Sequence, residues 1–328
     1  MSLLQLLRFA VPSRAARLLG STPVCAGRAA STRVDLSGIL PPIPTPFHED
    51  ESLALDQLEK NFQAWEKIPF RGYVVMGSNG EFPLMTAEER VGLVRRVRQL
   101  AAPDRLVLAG PACEGTAATL ELCHAMAEAG ADAVMVINPS YYKASMTEAA
   151  LSAHFEAVAD GSPVPVVLYS LPANTGIDLS APLLVHLAQH PNVIGVKDSG
   201  GDVTKLARVV HETRDQDFQV LAGSTGFLLP AMLVGCVGGV NGLANILGEE
   251  VCRLHRLASE GRYADALELH RALLAPNALV TRELGVPAMK AAMDLVGLYG
   301  GPCRRPLLPL TPDQQQRVRQ AFAKAGFL

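Results

Sequence analysis

Short apolar, β-branched runs recur along the chain at Gly38–Thr45, Gly72–Gly77, Leu106–Gly110, Ala133–Asn138, Pro165–Ser170, Val193–Asp198, Phe218–Gly223 and Val237–Asn241. Each is short for a helix and apolar enough for a strand buried on both faces. Between and after them the apolar positions take helical spacing, around residues 55–66, 86–101, 116–129, 147–159, 180–189, 202–214, 226–235 and 248–260. Strand and helix thus alternate eight times. That order builds a parallel sheet covered by helices, and eight repeats predict closure into a (β/α)8 TIM barrel of the α/β class. Local punctuation agrees: Thr86 followed by Glu89 reads as a capping box, and Gly130 falls just past the third helix. After the barrel, residues 262–274, 278–296 and 312–325 carry the pattern of three more helices, the last opened by Thr311 with Pro312 at its first position. The expected organisation is a barrel over residues 34–260 and a C-terminal helical extension over 261–328, packed on the barrel side or on a neighbouring subunit.

The first 33 residues stand outside this pattern. They hold Arg8, Arg14, Arg17, Arg28 and Arg33, no Lys, Asp or Glu, and leucines at 3, 4, 6, 7, 18 and 19. That is the composition of a mitochondrial transit peptide. A secretory signal needs an unbroken apolar centre of about 7–15 residues, and Arg8, Pro12 and Arg14 interrupt one here. Residues 1–33 are therefore expected to address the protein to the mitochondrial matrix, with the folded unit starting near Val34.

This changes how charge is read. Removing five positive charges from a chain of net charge −3 leaves a body at −8. An acidic body without a Lys/Arg run offers no positive stripe to phosphates, which argues against nucleic acid or an anionic membrane as partner. The stretch 218–248 carries no charge, but its glycines and Pro230 mark strand, helix and strand in a barrel wall. The six cysteines show no C-x-x-C spacing, and those of the body (Cys113, Cys123, Cys236, Cys252, Cys303) read as small buried hydrophobes.

In such a barrel, reactive groups belong at the carboxyl ends of the strands. The polar residues there are Thr45, Ser78, Asn79, Tyr141, Tyr142, Tyr169, Lys197 and Ser224. Lys197 follows the apolar strand Val193–Val196, where partial removal from water would lower its pKa toward the range of a nucleophilic, imine-forming amine. The alternative is a surface lysine at a strand end. Alternation puts Tyr169 on the face of Val167, as a core residue or, at a polar mouth, a proton carrier. Gly77–Glu81 can offer successive N–H groups and a hydroxyl to a carboxylate, or is a plain turn. The glycine-rich phrases 223–226 and 238–242 allow a phosphate site, although neither matches a P-loop or a dinucleotide fingerprint. His186 and His190 are spaced i, i+4 but lack the Glu of H-E-x-x-H and a third ligand, so no metal is expected.

Taken together, Pro44–Phe47, Gly77–Phe82, Pro139 with Tyr141 and Tyr142, Leu168–Gly176 and Gly195–Ser199 resemble the motifs of the dihydrodipicolinate synthase / N-acetylneuraminate lyase family of class I, Schiff-base aldolases. The resemblance runs from about Gly38 to Leu298. It implies that Lys197 forms an imine with a small 2-oxo acid, that Tyr169 shuttles protons, and that the N–H groups of Ser78 and Asn79 hold the substrate's 1-carboxylate. It implies a relay tyrosine lent across a subunit interface, matching Tyr141 with Tyr142 as the alternative, no metal or organic cofactor, and a homotetramer built as a dimer of dimers. Ser199 and Ser224 are candidates for holding a distal carboxylate or tuning Lys197. Where synthases of the family usually carry an Arg, this chain reads Ala173-Asn174-Thr175-Gly176. Asn174 supplies no bidentate cation, which suggests a different second substrate. Three other readings stay open: a lyase of a sialic acid or keto-deoxy sugar acid, a phosphate-binding barrel enzyme, and a non-catalytic binding barrel.

Overall fold

The computed structural model describes residues 34–328; the expected transit segment, residues 1–33, lies outside them. Eight parallel strands form the sheet: β1 Gly38–Ile39, β2 Gly72–Val75, β3 Leu106–Ala109, β4 Ala133–Ile137, β5 Val166–Ser170, β6 Val193–Asp198, β7 Gln219–Ala222 and β8 Gly238–Gly239. They pair in the order β1-β8-β7-β6-β5-β4-β3-β2. The first run is regular strand only at its start, shorter than the pattern predicts, because Pro41 and Pro42 have no N–H to give a ladder. The β1/β2 seam closes instead through Ile43 N–H to the Val74 carbonyl (3.0 Å), Val74 N–H to that of Pro41 (2.9 Å) and Arg71 N–H to that of Ile39 (2.9 Å).

Around the strands run α1 Leu55–Trp65, α2 Ala87–Leu100, α3 Thr116–Glu128, α4 Glu148–Gly161, the short α5 Pro172–Thr175, α6 Ala181–Leu187, α7 Val203–Glu212, α8 Leu228–Leu233 and α9 Gly248–Ser259. Thr86 and Glu89 form the expected capping box on α2, and Gly130 takes φ +101° past α3. The charge-free stretch resolves into β7, a tight turn, α8 and β8. No described helix is long and apolar enough to cross a membrane.

Apolar side chains pack in two layers. Leu40, Val74, Leu108, Met135, Val167, Tyr169 and Leu221 form a buried cluster filling the barrel. A larger cluster, including Leu58, Phe62, Leu93, Phe155 and Leu254, lies between strands and helices. Each such side chain contributes about 1.5–3 kcal/mol by leaving water, and the barrel layer fixes where the polar ends of the strands point.

Three helices follow: α10 Tyr263–Ala278, α11 Gly285–Leu295 and α12 Pro312–Lys324. The expected gap between the first two, residues 275–277, is helical instead: α10 runs through Pro276, which is buried. The irregularity comes later, in a π turn at Leu279–Glu283 where Leu284 N–H reaches the Leu279 carbonyl (3.1 Å). Thr281 Oγ1 donates to the Asn277 carbonyl (2.6 Å), occupying an acceptor within the wide turn. The extension is also more than a layer on the barrel side. His270 Nε2 sits 3.1 Å and 3.2 Å from the carbonyl oxygens of Thr225 and Gly226 after β7, which lays the end of α10 along the barrel mouth.

Candidate active site

A cavity of about 1000 Å³ opens at the carboxyl ends of the strands. Ser78, Asn79, Tyr169, Lys197, Ser199 and Ser224 all line it, so six of the singled-out residues come together. Lys197 and Tyr169 are each 3% exposed. They are direct partners across the parallel β5/β6 ladder, and Lys197 Nζ lies 3.8 Å from the centre of the Tyr169 ring. Tyr169 shares the interior cluster with Val167, as strand alternation requires. Its hydroxyl lies 3.3 Å from Ser78 Oγ, within hydrogen-bonding distance. The amine on β6 thus lies over the Tyr169 ring on β5, whose hydroxyl reaches the serine hydroxyl in the loop after β2.

The next ladder pair, Ser170 and Asp198, faces the other way. Asp198 is fully buried and sits 2.6 Å from Lys205 Nζ, which is also 2.6 Å from Asp178. Ser170 Oγ donates to Asp178 (3.0 Å), and Gly200 N–H to Asp198 (2.9 Å). Burial alone would push the Lys205 ammonium down, but the two carboxylates leave it above the ordinary lysine value. This cluster takes up the negative charge adjacent to Lys197 in sequence and turns it away from the cavity.

The Ser78–Asn79 loop is held under strain. Met76 and Glu81, on either side of it, adopt left-handed φ values of +61° and +57°, each costing about 1–3 kcal/mol in a residue with a side chain. Surrounding contacts offset that cost. Thr45 Oγ1 donates to the Gly80 carbonyl (2.7 Å). Glu81 is buried against Lys290 of α11, with 2.6 Å between Oε1 and Nζ and exposures of 0% and 1%. Lys290 also donates to the Pro302 carbonyl (2.7 Å), and Arg304 N–H to Glu81 Oε2 (2.8 Å). Arg304 then grips Glu89 with two hydrogen bonds (2.9 and 2.8 Å) and holds its carboxyl at about 2. Asn79 reaches its place because residue 242 is glycine: a Cβ there would stand 2.9 Å from Asn79 Nδ2.

Two predicted residues are not brought to the cavity within one protomer. Tyr141 and Tyr142 are 79% and 72% exposed and pack edge to face at 5.2 Å. Glu114 fixes their loop by accepting from the N–H groups of Ser140 and Tyr141 (both 2.9 Å). Ser199 and Ser224 line the wall, but Ser224 exchanges hydrogen bonds with Asn277 of α10 (3.1 Å). His186 and His190 pair with Glu156 (2.7 Å) and Asp160 (3.0 Å) on α4 instead of facing one another's side of a shared site. Burial pushes the thiols of Cys123, Cys236 and Cys252 up to about 12, as befits apolar packing. Sequence reasoning did not single out Glu81, Lys290, Lys205, Asn277 or Arg282. Only Glu81, inside the Gly77–Phe82 phrase, carried a visible signal.

A buried amine beside a phenol, at the carboxyl end of a TIM barrel and open to a cavity for a small molecule, defines an imine-forming lyase or synthase barrel. Comparison with known proteins makes the class specific. Residues 35–325 match the model of the Dihydrodipicolinate synthetase family, and the chain belongs to that family. It is a pyruvate-dependent Schiff-base enzyme of that family. The chain is 34% identical over 293 residues to the 4-hydroxy-tetrahydrodipicolinate synthase of Methanococcoides burtonii, covering 89% of this chain and 99% of that one. It is also 34% identical over 293 residues to the "Probable 4-hydroxy-2-oxoglutarate aldolase, mitochondrial" of Emericella nidulans, covering 88% and 94%. Among solved structures it resembles a prophage protein of the dihydrodipicolinic acid synthase family from E. coli K12 in complex with pyruvate, with a TM-score of 0.84, 30% identity, and coverage of 89% and 99%.

Proposed function

We propose that this chain is a class I aldolase that cleaves 4-hydroxy-2-oxoglutarate to pyruvate and glyoxylate in the mitochondrial matrix. One observation carries the reading. The cavity around Lys197 has no Asp or Glu among the described residues that line it, although the body is acidic, so it suits a dianionic 2-oxo acid. The exposed Asn174, standing where the family's synthases usually carry an Arg, supports it. So does similarity to a relative named for that activity and for mitochondria; the transit-like composition of residues 1–33 agrees.

In this reaction the free amine of Lys197 attacks the C2 ketone. Tyr169 gives its proton to the departing hydroxyl, so the carbinolamine loses water and becomes a protonated imine. The phenolate then takes the proton of the C4 hydroxyl. The C3–C4 bond breaks, its electron pair moves into the imine as an enamine, and glyoxylate leaves. Protonation at C3 and hydrolysis release pyruvate and restore Lys197. Ser78 passes protons to Tyr169, and the N–H groups of Ser78 and Asn79 hold the 1-carboxylate. Tyr141 of a neighbouring subunit extends the relay in a tetramer, which gives its exposure in one protomer a purpose.

Borohydride reduction with pyruvate tests the chemistry, and release of glyoxylate from 4-hydroxy-2-oxoglutarate tests the substrate. A stable adduct on Lys197 and rapid glyoxylate release are expected. No adduct, or activity surviving Lys197→Ala, would overturn the imine; turnover of other 2-oxo acids without this one would overturn the substrate.

A further inference from the structure

Part of the cavity wall is built by the C-terminal extension. Leu274, Asn277, Thr281, Arg282 and Val286 line it from α10, the π turn and the start of α11. Arg282 is the one cation besides Lys197 among the described residues that line the cavity. It is exposed, and it makes no hydrogen bond or ion pair to another described residue. By contrast, Arg304, Arg90 and Arg98 are held by carboxylates or carbonyls. The π turn is what brings it here. Its wide turn adds a residue between two helical stretches, and both Thr281 and Arg282 line the cavity between Asn277 on one side and Val286 on the other.

From this we infer that Arg282 is a specificity-determining residue that binds the carboxylate of the substrate farthest from the imine carbon. The inference rests on the dicarboxylate reading above. A 2-oxo diacid carries two anionic ends and needs two sites. The Ser78–Asn79 turn suits the end beside Lys197, while the wall from the extension offers an unpaired guanidinium, with the Asn277 amide and the Ser224 hydroxyl also lining the cavity. A guanidinium is permanently charged and fits a carboxylate with two parallel hydrogen bonds. Ser224, held by Asn277, then acts as a neutral neighbour to that carboxylate, and Arg282 supplies the charge.

The test separates binding from cleavage. 2-Oxoglutarate keeps both carboxylates but lacks the 4-hydroxyl, so it can form the imine and cannot be cleaved by the retro-aldol step; 2-oxobutanoate lacks the distal carboxylate. For wild type, Arg282→Gln and Arg282→Lys, the concentration of each acid giving half-maximal borohydride-trapped adduct on Lys197 is measured. Arg282→Gln should raise that concentration at least tenfold for 2-oxoglutarate and leave 2-oxobutanoate within twofold, with Arg282→Lys in between. An equal rise for both acids, an unchanged value for 2-oxoglutarate, or no wild-type preference for the diacid would overturn the assignment. If wild type shows the expected pattern but releases no glyoxylate from 4-hydroxy-2-oxoglutarate, the proposed reaction fails and the Arg282 site stands. If wild type releases glyoxylate and Arg282→Gln changes nothing, Arg282 fails alone.

Discussion

Replacing Lys290 with methionine should show how the Ser78–Asn79 loop is held. Lys290 Nζ stands 2.6 Å from Glu81 Oε1, with both side chains closed to water. Two unit charges at that distance attract by about 6 kcal/mol at an effective dielectric of about 20, and the cost of desolvating both offsets much of it. Methionine preserves most of the stem volume beside Phe47 but removes the charge and the bond to the Pro302 carbonyl. Glu81 then keeps only the Arg304 N–H as a partner. Leaving one buried charge without its partner costs about 3–5 kcal/mol, a large part of the 5–15 kcal/mol by which domains are typically stable. In the double variant Glu81→Gln, Lys290→Met, no charge is stranded, and most of the loss should be recovered. Urea unfolding followed by circular dichroism, at one fixed protein concentration, measures all four forms. A single-variant loss below about 1 kcal/mol, or a double variant as unstable as the sum of the two singles, would refute the account, because the pair would then not be coupled.

Three further outcomes are expected. Tyr169→Phe should stay folded, since the ring keeps its place in the barrel cluster, and should lower kcat by about 10²–10⁴-fold as a positioned proton carrier is lost; steady-state kinetics and a thermal melt check both. The Glu89 carboxyl is held at about 2 in the fold by Arg304, against an ordinary value of 4.5. A depressed carboxylate stabilises fully above its unfolded value, and that contribution is lost as pH falls from 4.5 toward 2. Glu89→Gln should therefore flatten the stability–pH curve in that window, and denaturation at stepped pH would show an unchanged slope if the pair is inert. Tyr141→Phe mixed with Lys197→Ala protein should regain activity in mixed oligomers, each subunit supplying what the other lacks; mixtures as inactive as the parents would count against a tyrosine donated between subunits.

The strand and helix alternation was readable because each barrel strand buries both faces and each helix one, so the two periods differ along the chain. Lys197 and Tyr169 were readable for the same reason: polar residues at the ends of otherwise apolar strands have few places to be. The shortness of β1 was readable only in hindsight, from what Pro41 and Pro42 cannot donate. What the pattern hid was partnership at long range. Nothing near Glu81 announces Lys290, and nothing near β7 announces that Asn277 will meet Ser224. Those contacts depend on how the extension crosses the mouth, and periodicity carries no record of a crossing. The π turn was hidden as well, since an added residue inside a helical run leaves the apolar spacing almost intact.

The chain draws the Lys197–Tyr169 pair and part of the cavity wall around it from separate stretches of sequence. Lys197 and Tyr169 are set side by side by the hydrogen-bond ladder of β5 and β6, while another part of the cavity wall comes from residues 274–286, after the last strand. Substitutions at the exposed Arg282 of that late segment can change what the cavity accepts without touching the ladder that sets the amine beside the phenol. The Lys197–Tyr169 pair can thus stay in place while the wall beside it varies, even though the same extension steadies the loop after β2 through Lys290.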